Sequence, residues 1–242
     1  MNSFVRAFFV ASLLLASPAF GAISVGNGGV LSLGDGALDL AGGNLTVDGQ
    51  FQVANGSVVE AGDVVINGAL DGGNGALSLR GDWINNGSFN AGSGQVSFTD
   101  DAGSSAQIIG NTTFYGLSLL SSAGGAFVLQ SGTVQRVISS LVIQGAGSAP
   151  VQIESSNPPQ IAGLLLEPGG SQNIADVGVS KVYATGQPLA PNQTNQGGAG
   201  NDRGWFGLPL DPLPVPVLSI PGLLILMLAL LGVAFARRGS AT

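Results

Sequence analysis

The chain has 242 residues, of which 40 are Gly, with no Cys or His, 9% charged residues and a formal net charge of −7. Without Cys or His it lacks the ligands of common zinc sites and the groups of Ser-His-Asp and Cys enzymes, and it has no His to bind haem iron. Disulfides cannot stabilise the fold. A chain this acidic repels phosphate backbones, so nucleic acid is excluded as a partner, and we expect no metal or cofactor.

The amino-terminal residues 1–21 have the layout of a secretory signal peptide. Arg6 is followed by an apolar run over residues 7–16 and then by small residues up to Gly21. This run is short for a membrane span, which needs about 20 apolar residues. The sequence predicts a signal helix that is cut before Ala22, and export of the remaining chain.

After the signal peptide, a short apolar-centred segment followed by a Gly or Asn-Gly break recurs every six or seven residues. Every third segment starts about 19 or 20 residues further on, as at Val30, Gln50, Ala69 and Ser88. Three short strands per coil of a solenoid give that spacing, with Gly or Asn at the corners because those residues tolerate positive φ. The sequence therefore predicts an all-β, three-faced β-solenoid (β-helix) over residues 22–186.

The second residue of each segment is apolar, which predicts columns of like side chains when the coils stack. The predicted columns are Leu31, Phe51, Leu70 and Phe89 on one face; Leu38, Val58, Leu77 and Val96 on the next; and Leu45, Val64 and Trp83 on the third. After Thr99 the apolar segments continue with longer polar insertions, as further coils or a β cap. No segment of this body has a sustained helical period, so helix should be scarce.

Two other architectures fit parts of this pattern. A Gly-rich disordered chain is one, but 45% hydrophobic residues and a mean hydropathy of +0.42 argue against it. A two-sheet β-sandwich is the other, although its strands recur every 8 to 12 residues, more widely than here.

The carboxyl-terminal part divides into a linker and a membrane segment. Residues 187–214 are rich in Gly, Asn and Pro and are predicted to form an extended linker. Residues 215–242 contain an apolar stretch long enough for one transmembrane helix, with a basic end that stays cytoplasmic. The exported part then keeps four cations and all 14 carboxylates.

Candidate catalytic and metal residues are few. Asp100 and Asp101 are adjacent carboxylates, but neighbours on a strand point to opposite faces, so a solvated turn is the better interpretation. Residues 72–79 are similar to a calcium-binding nonapeptide, with Leu77 where a ligand Asp is needed. Trp83 is predicted to pack in the core. The pair formed by Trp205 and Phe206 is predicted to form a terminal aromatic cap.

The tail has three parts in a fixed order. A short motif comes first, then an apolar span and then a basic end: Val215, Pro216, Val217, Leu218 and Ser219, residues 220–236, and Arg237 with Arg238. This order resembles the IPTL-CTERM sorting signal, a relative of the PEP-CTERM signals of Gram-negative bacteria, whose Ile-Pro-Thr-Leu-Ser reads Val-Pro-Val-Leu-Ser here. The resemblance implies a membrane-anchored precursor, an exosortase-like processing enzyme, and display at the cell surface or release into an exopolysaccharide matrix.

The body carries a second resemblance. Residues 81–98, which read GDWINNGSFNAGSGQVSF, and residues 107–117 look like the repeats of bacterial surface β-solenoid and adhesin-like proteins. These observations predict an exported, non-enzymatic structural or adhesive protein, with extracellular polysaccharide as a partner. The alternative is a polysaccharide lyase or glycoside hydrolase on a β-helix, which requires several carboxylates to converge on one groove. The acids available for such a groove are scattered: Asp35, Asp39, Asp48, Glu60, Asp63 and Asp71.

Overall fold

A computed structural model describes residues 21–100, 102–157 and 159–210, all of which belong to one compact unit that ends at Leu210. Within these ranges the regular structure consists of β-strands, with no helix. The predicted transmembrane helix, and the signal helix up to Phe20, lie outside the described residues.

Short strands separated by turns make up almost the whole of this unit. In chain order they are β1 (Ile23–Val25), β2 (Val30–Ser32), β3 (Ala37–Asp39), β4 (Leu45–Val47), β5 (Gln50–Gln52), β6 (Ser57–Ala61), β7 (Val64–Ile66), β8 (Ala69–Asp71), β9 (Ala76–Leu79), β10 (Trp83–Asn85), β11 (Ser88–Asn90), β12 (Gln95–Asp100), β13 (Ser105–Ile109), β14 (Thr112–Ser121), β15 (Ala126–Leu129), β16 (Val134–Gln144), β17 (Val151–Ser155), β18 (Ala162–Leu166), β19 (Ser171–Ala175), β20 (Val177–Ser180) and β21 (Val182–Gly186).

Each strand of the first coils pairs with the strand three further along the chain, so three parallel sheets run side by side. Their orders are β1-β4-β7-β10-β13-β15-β17-β20, then β2-β5-β8-β11, then β3-β6-β9-β12-β14-β16-β18-β21 with β19 added to β16. This confirms the predicted parallel β-solenoid, which has about eight coils. A sandwich is wrong for this chain because its strands would pair antiparallel.

The later coils turn their second corner without breaking the strand. The first half of β16 pairs with β18 and its second half pairs with β19, so one long strand serves two faces. The equivalent bend in β14 is a bulge between Phe114 and Gly116. Apolar segments after Thr99 are therefore further coils, as predicted, with longer strands in place of some Gly corners.

The core is a continuous apolar column inside the coils. Trp83 packs edge-on against Phe89 with ring centroids 4.9 Å apart, and lies 5.5 Å from the ring of Phe114. Most inward side chains of the middle coils have almost no exposed surface, whereas Leu31 and Leu38 in the first coil are half-buried. Burial of one such side chain stabilises the fold by about 1.5–3 kcal/mol.

Residues 187–210 differ from the extended linker that the sequence predicts. Leu189 and Trp205 have no exposed surface and belong to the hydrophobic core. Isolated parallel bridges join Leu189 to Trp205 and Ser180 to Gly200. The segment covers the last coil because its large apolar side chains gain free energy by burial there. The chain from Asp211 onward lies outside the described residues.

Candidate functional site

The predicted core columns lie in register in the structure. On the first face, backbone pairing places Leu31 beside Phe51, Phe51 beside Leu70, and Leu70 beside Phe89. The other two faces repeat this arrangement over Leu38, Val58, Leu77 and Val96, and over Leu45, Val64 and Trp83. The predicted sorting residues, Val215 to Ser219 with Arg237 and Arg238, lie outside the described residues.

Polar side chains form a second set of columns at the corners, outside the core. At the corner between β2 and β3, the Asp35 ladder consists of Asp35, Asn55, Asn74 and Ser93. Asn55 Nδ2 donates to Asp35 Oδ1 at 3.0 Å, Asn74 Nδ2 donates to Asn55 Oδ1 at 3.1 Å, and Ser93 Oγ donates to Asn74 Oδ1 at 2.6 Å. All three donors point toward the first coil, where a carboxylate that can only accept ends the series.

The corner between β4 and β5 carries a ladder of the same design. In this Asp48 ladder, Asn67 Nδ2 donates to Asp48 Oδ1 at 2.7 Å, and Asn86 Nδ2 donates to Asn67 Oδ1 at 3.1 Å. The series again ends on a carboxylate at its amino-terminal side. Asn fits these corners because it makes local side-chain hydrogen bonds and tolerates turn conformations.

The third corner, before β4, uses the side-chain oxygens of Asn44, Asp63 and Asp82 to hold the next coil by its backbone. The amide nitrogen of Asp63 donates to Asn44 Oδ1 at 2.9 Å, that of Asp82 donates to Asp63 Oδ1 at 2.9 Å, and that of Gln107 donates to Asp82 Oδ1 at 2.7 Å. Each bond joins adjacent coils at a point where the strands do not pair. A bond of this type contributes about 0.5–1.5 kcal/mol.

One shallow depression follows the Asp35 ladder, and a second lies beside the carboxylate end of the Asp48 ladder. One, of about 350 Å³, is lined by Asp35, Asn55, Asn74, Ser93 and small residues between them, with Gln95 at one end. The other, of about 420 Å³, lies along Asp48 and the small residues Gly49, Gly68 and Ala69. Each contains one carboxylate together with hydrogen-bonding groups. Such a surface is suited to a neutral, hydroxyl-rich ligand.

The carboxylates that a glycosidase would need are spread over several corners. Asp35 and Asp48 lie in different depressions, while Glu60 pairs on the surface with Arg80, with Oε1 and Nη2 3.2 Å apart. Among the residues that the structure describes, no group of three or more His, Cys, Asp or Glu is placed to hold a metal ion. Leu77, which replaces the ligand Asp of a calcium nonapeptide, is 2% exposed in the core.

Asp100 has a structural environment that the sequence did not reveal. It is 5% exposed; Oδ1 accepts from Ala102 N, Ser104 N and Ser104 Oγ, and Oδ2 accepts from Ser121 Oγ at 3.1 Å. Burial by itself raises the pKa of Asp100, but these hydrogen bonds together outweigh burial and lower it. The carboxylate holds the turn after β12 in place. Asp101, its predicted neighbour in a solvated turn, lies outside the described residues.

The two tryptophans are packing residues in the structure. Trp83 is fully buried and donates through Nε1 to Thr112 Oγ1 at 3.2 Å. Trp205 is fully buried at the end of the solenoid, with the ring of half-buried Phe206 5.9 Å away. The indole nitrogen of Trp205 has no hydrogen-bond partner among the described residues. Both rings fill the core, so neither offers a face to a sugar.

The ladders were visible in the sequence only in outline. Asn recurs at the corner positions with the coil period, and the sequence pattern predicts it there only as a corner residue. Which side chains bond to each other depends on the direction in which each one leaves its corner, and the sequence pattern does not contain that information.

No family model, curated protein or solved structure matches this chain. Within the described ranges there is no helix with the length and apolar character needed to cross a membrane.

Proposed function

We propose that this chain is an exported, non-enzymatic structural or adhesive protein of the cell surface or exopolysaccharide matrix. It is sorted through a carboxyl-terminal membrane signal and made as a precursor anchored in the inner membrane. The support for sorting comes from the sequence: a signal peptide at residues 1–21, an apolar span followed by Arg237 and Arg238, and the resemblance to sorting signals at residues 215–219.

The observation that carries the proposed role is the pair of exposed ladders along neighbouring corners. They present amide, hydroxyl and carboxylate groups at one-coil intervals of about 4.8 Å, the spacing of hydrogen-bonded strands. A polysaccharide also repeats hydroxyl groups along its length, so one chain could bind several rungs at once. Many weak, equal contacts favour retention in a matrix over recognition of one small ligand.

The acidity of the exported part supports the same role. It carries four cations and 14 carboxylates. This negative net charge keeps the protein soluble and limits non-specific association. It also favours neutral over strongly anionic polysaccharide as the ligand, because like charges repel.

Binding to matrix polysaccharide tests this role directly. Wild type, the ladder variant N55A/N74A and the control N157A, which removes an exposed Asn outside the ladders, are incubated with neutral exopolysaccharide and sedimented. We expect the ladder variant to bind about tenfold more weakly, since two hydrogen-bonding rungs are lost, and the control to bind as wild type does.

Two outcomes contradict the proposal. Equal binding of the polysaccharide by all three proteins would mean that the ladders take no part in it. Release of new reducing ends or unsaturated sugars during incubation identifies a polysaccharide-active enzyme, the alternative that the sequence left open. Circular dichroism on each variant establishes that the solenoid is intact.

A further inference from the structure

The two ends of the solenoid are finished differently. At the carboxyl-terminal end, residues 187–210 contact the outer edge of each face. The contacts are Gln196 N to Val177 O at 2.9 Å, Gly200 N to Val179 O at 3.2 Å, Ala184 N to Arg203 O at 2.8 Å, and Gln193 Nε2 to Ile174 O. Backbone groups that would otherwise template another strand are thus occupied there.

At the amino-terminal end, β1, β2 and β3 each stand last in their sheets. Their outer edges pair with no strand among the described residues. This first coil has no Lys, Arg or Pro, the residues that most often block an edge strand. Val30 in β2 is 65% exposed, and the inward Leu31 and Leu38 are only half-buried.

We propose that this open edge binds the same edge of a second copy of the chain, giving a two-fold symmetric dimer. The inference rests on the proposed export, because a cut before Ala22 leaves only one residue ahead of β1, so no preceding segment covers the edge. In the dimer, β2 pairs antiparallel with β2 of the other copy. The same two-fold axis brings β1 of each copy opposite β3 of the other.

The partner is a second copy in a two-fold arrangement, because only the amino-terminal end of the described solenoid has open strand edges. Stacking head to tail would require an open carboxyl-terminal end, and residues 187–210 occupy that end. A two-fold contact uses the open edge twice and closes, so it stops at two copies. It also completes the burial of Leu31 and Leu38, which the first coil leaves half-exposed.

Charge permits this contact. The first coil contributes two carboxylates per copy, Asp35 and Asp39, and no cation. Asp35 accepts a hydrogen bond from Asn55 and Asp39 Oδ1 accepts one from the amide of Ala41 at 2.9 Å. Both lie at the rim in solvent, where salt screens their repulsion over about 8 Å at physiological ionic strength.

Cross-linking of the exported protein, expressed from its complete sequence, tests the dimer. Because the chain has no natural Cys, each variant carries one thiol. The variant S32C places a thiol on β2. In a pairing centred on Leu31 the two thiols are diagonal neighbours, about 7–8 Å apart between Cα atoms. A short bismaleimide is added to the envelope fraction. The control Q107C carries its thiol on an exposed position of β13, in the middle of a sheet.

We expect S32C to give a product of twice the chain mass and Q107C to give none. Adding V30K to S32C should abolish the product, because each Lys would lie directly opposite position 32 of the other copy and Lys on an edge strand opposes pairing. Adding V134K, the same change at a 42% exposed strand Val away from the edge, should leave it unchanged.

The amino terminus of the same sample is read by mass spectrometry. If the chain begins near Ala22 and S32C gives no cross-linked product, the dimer is overturned and the proposed export is unaffected. An assembly of more than two chains in native mass spectrometry of the same protein overturns the closed two-fold arrangement. A chain that retains residues 1–21 contradicts the proposed export, and the dimer with it.

Discussion

Glycines at the corners answer two separate needs, backbone conformation and space. Gly34 and Gly92 both have positive φ, +61° and +56°. A Cβ built on Gly34 meets nothing within 4 Å, whereas one on Gly92 clashes with the carbonyl oxygen of Gly73 in the coil below. Gly34 serves conformation alone, which Ala54 also adopts in the next coil with a φ of +57°, whereas Gly92 is also needed for the close approach of stacked corners.

Ala substitution should separate these two needs. We expect Gly34→Ala to destabilise the fold by about 1–2 kcal/mol, the cost of placing a side chain in the left-handed region. Gly92→Ala should cost more, because the backbone of two coils must also shift. Urea unfolding of both variants measures the difference, and equal losses would contradict the close packing of corners.

Asp100 ties the stability of its turn to pH. Its pKa is lowered in the folded protein by hydrogen bonds that outweigh burial, so ionisation favours folding. This contribution is complete above the unfolded pKa of about 3.9 and is lost as pH falls through the lower, folded pKa.

The substitution Asp100→Asn should therefore destabilise the protein at pH 7 by about 1–3 kcal/mol, since an amide cannot accept from all the present donors. The gap from wild type should narrow as pH falls below about 4. Unfolding curves at several pH values measure this difference in unfolding free energy, with the substitution Asp39→Asn at an exposed carboxylate as the control. A gap that stays constant down to low pH would rule out a contribution from ionised Asp100.

Position along a column decides how much each strand stabilises the fold. Leu70 in β8 is 1% exposed between two neighbouring coils, whereas Leu31 in β2 has a coil on one side and is half-buried. Leu70→Ala should cost about 2–5 kcal/mol, as in other cores. Leu31→Ala should cost clearly less in the monomer, and thermal unfolding compares the two. Equal costs would mean that stacking does not determine burial.

The strands of the first coils were predictable because one short rule sets them. An apolar residue followed by a Gly or Asn corner repeats with the coil period, and the predicted starts at Val30, Gln50, Ala69 and Ser88 coincide with β2, β5, β8 and β11. Periodicity alone fixed the registers, since a slip by one residue would turn each apolar side chain outward.

The elements that the sequence missed break this rule for local reasons. The long β14 and β16 bend inside a strand, at Gly116 in β14 and with no Gly in β16, and Asp100 acquires its partners from a turn of irregular length. Residues 187–210 have the composition of a linker, and their packing depends on two large side chains, Leu189 and Trp205, that find the open end of the last coil. Composition averages over such single residues.

At the scale of the whole molecule, the solenoid should tolerate loss of one complete coil. Removing residues 50–68 joins Gly49 to Ala69. Ala69 pairs with Gln50 and therefore holds the equivalent position one coil later, so it can take the place of Gln50. Asn74 could then donate to Asp35, and Asn86 to Asp48, so both ladders would close again.

We expect this deletion to fold with lower stability and with a urea m-value smaller by about one-eighth, because repeats contribute nearly additively. Removing residues 50–59 instead should abolish cooperative unfolding, since it puts corners where strands must stack. Circular dichroism and urea titration measure both. Similar behaviour of the two deletions would contradict a register shared by all coils.

Export and sorting of the solenoid are the central claim, and the intact mass of the protein recovered from the cell surface and culture medium tests it most directly. The account predicts a chain that begins near Ala22 and ends before Ile220, separated from its membrane signal. A chain found only inside the cell, with residues 1–21 and its carboxyl terminus both intact, would contradict it.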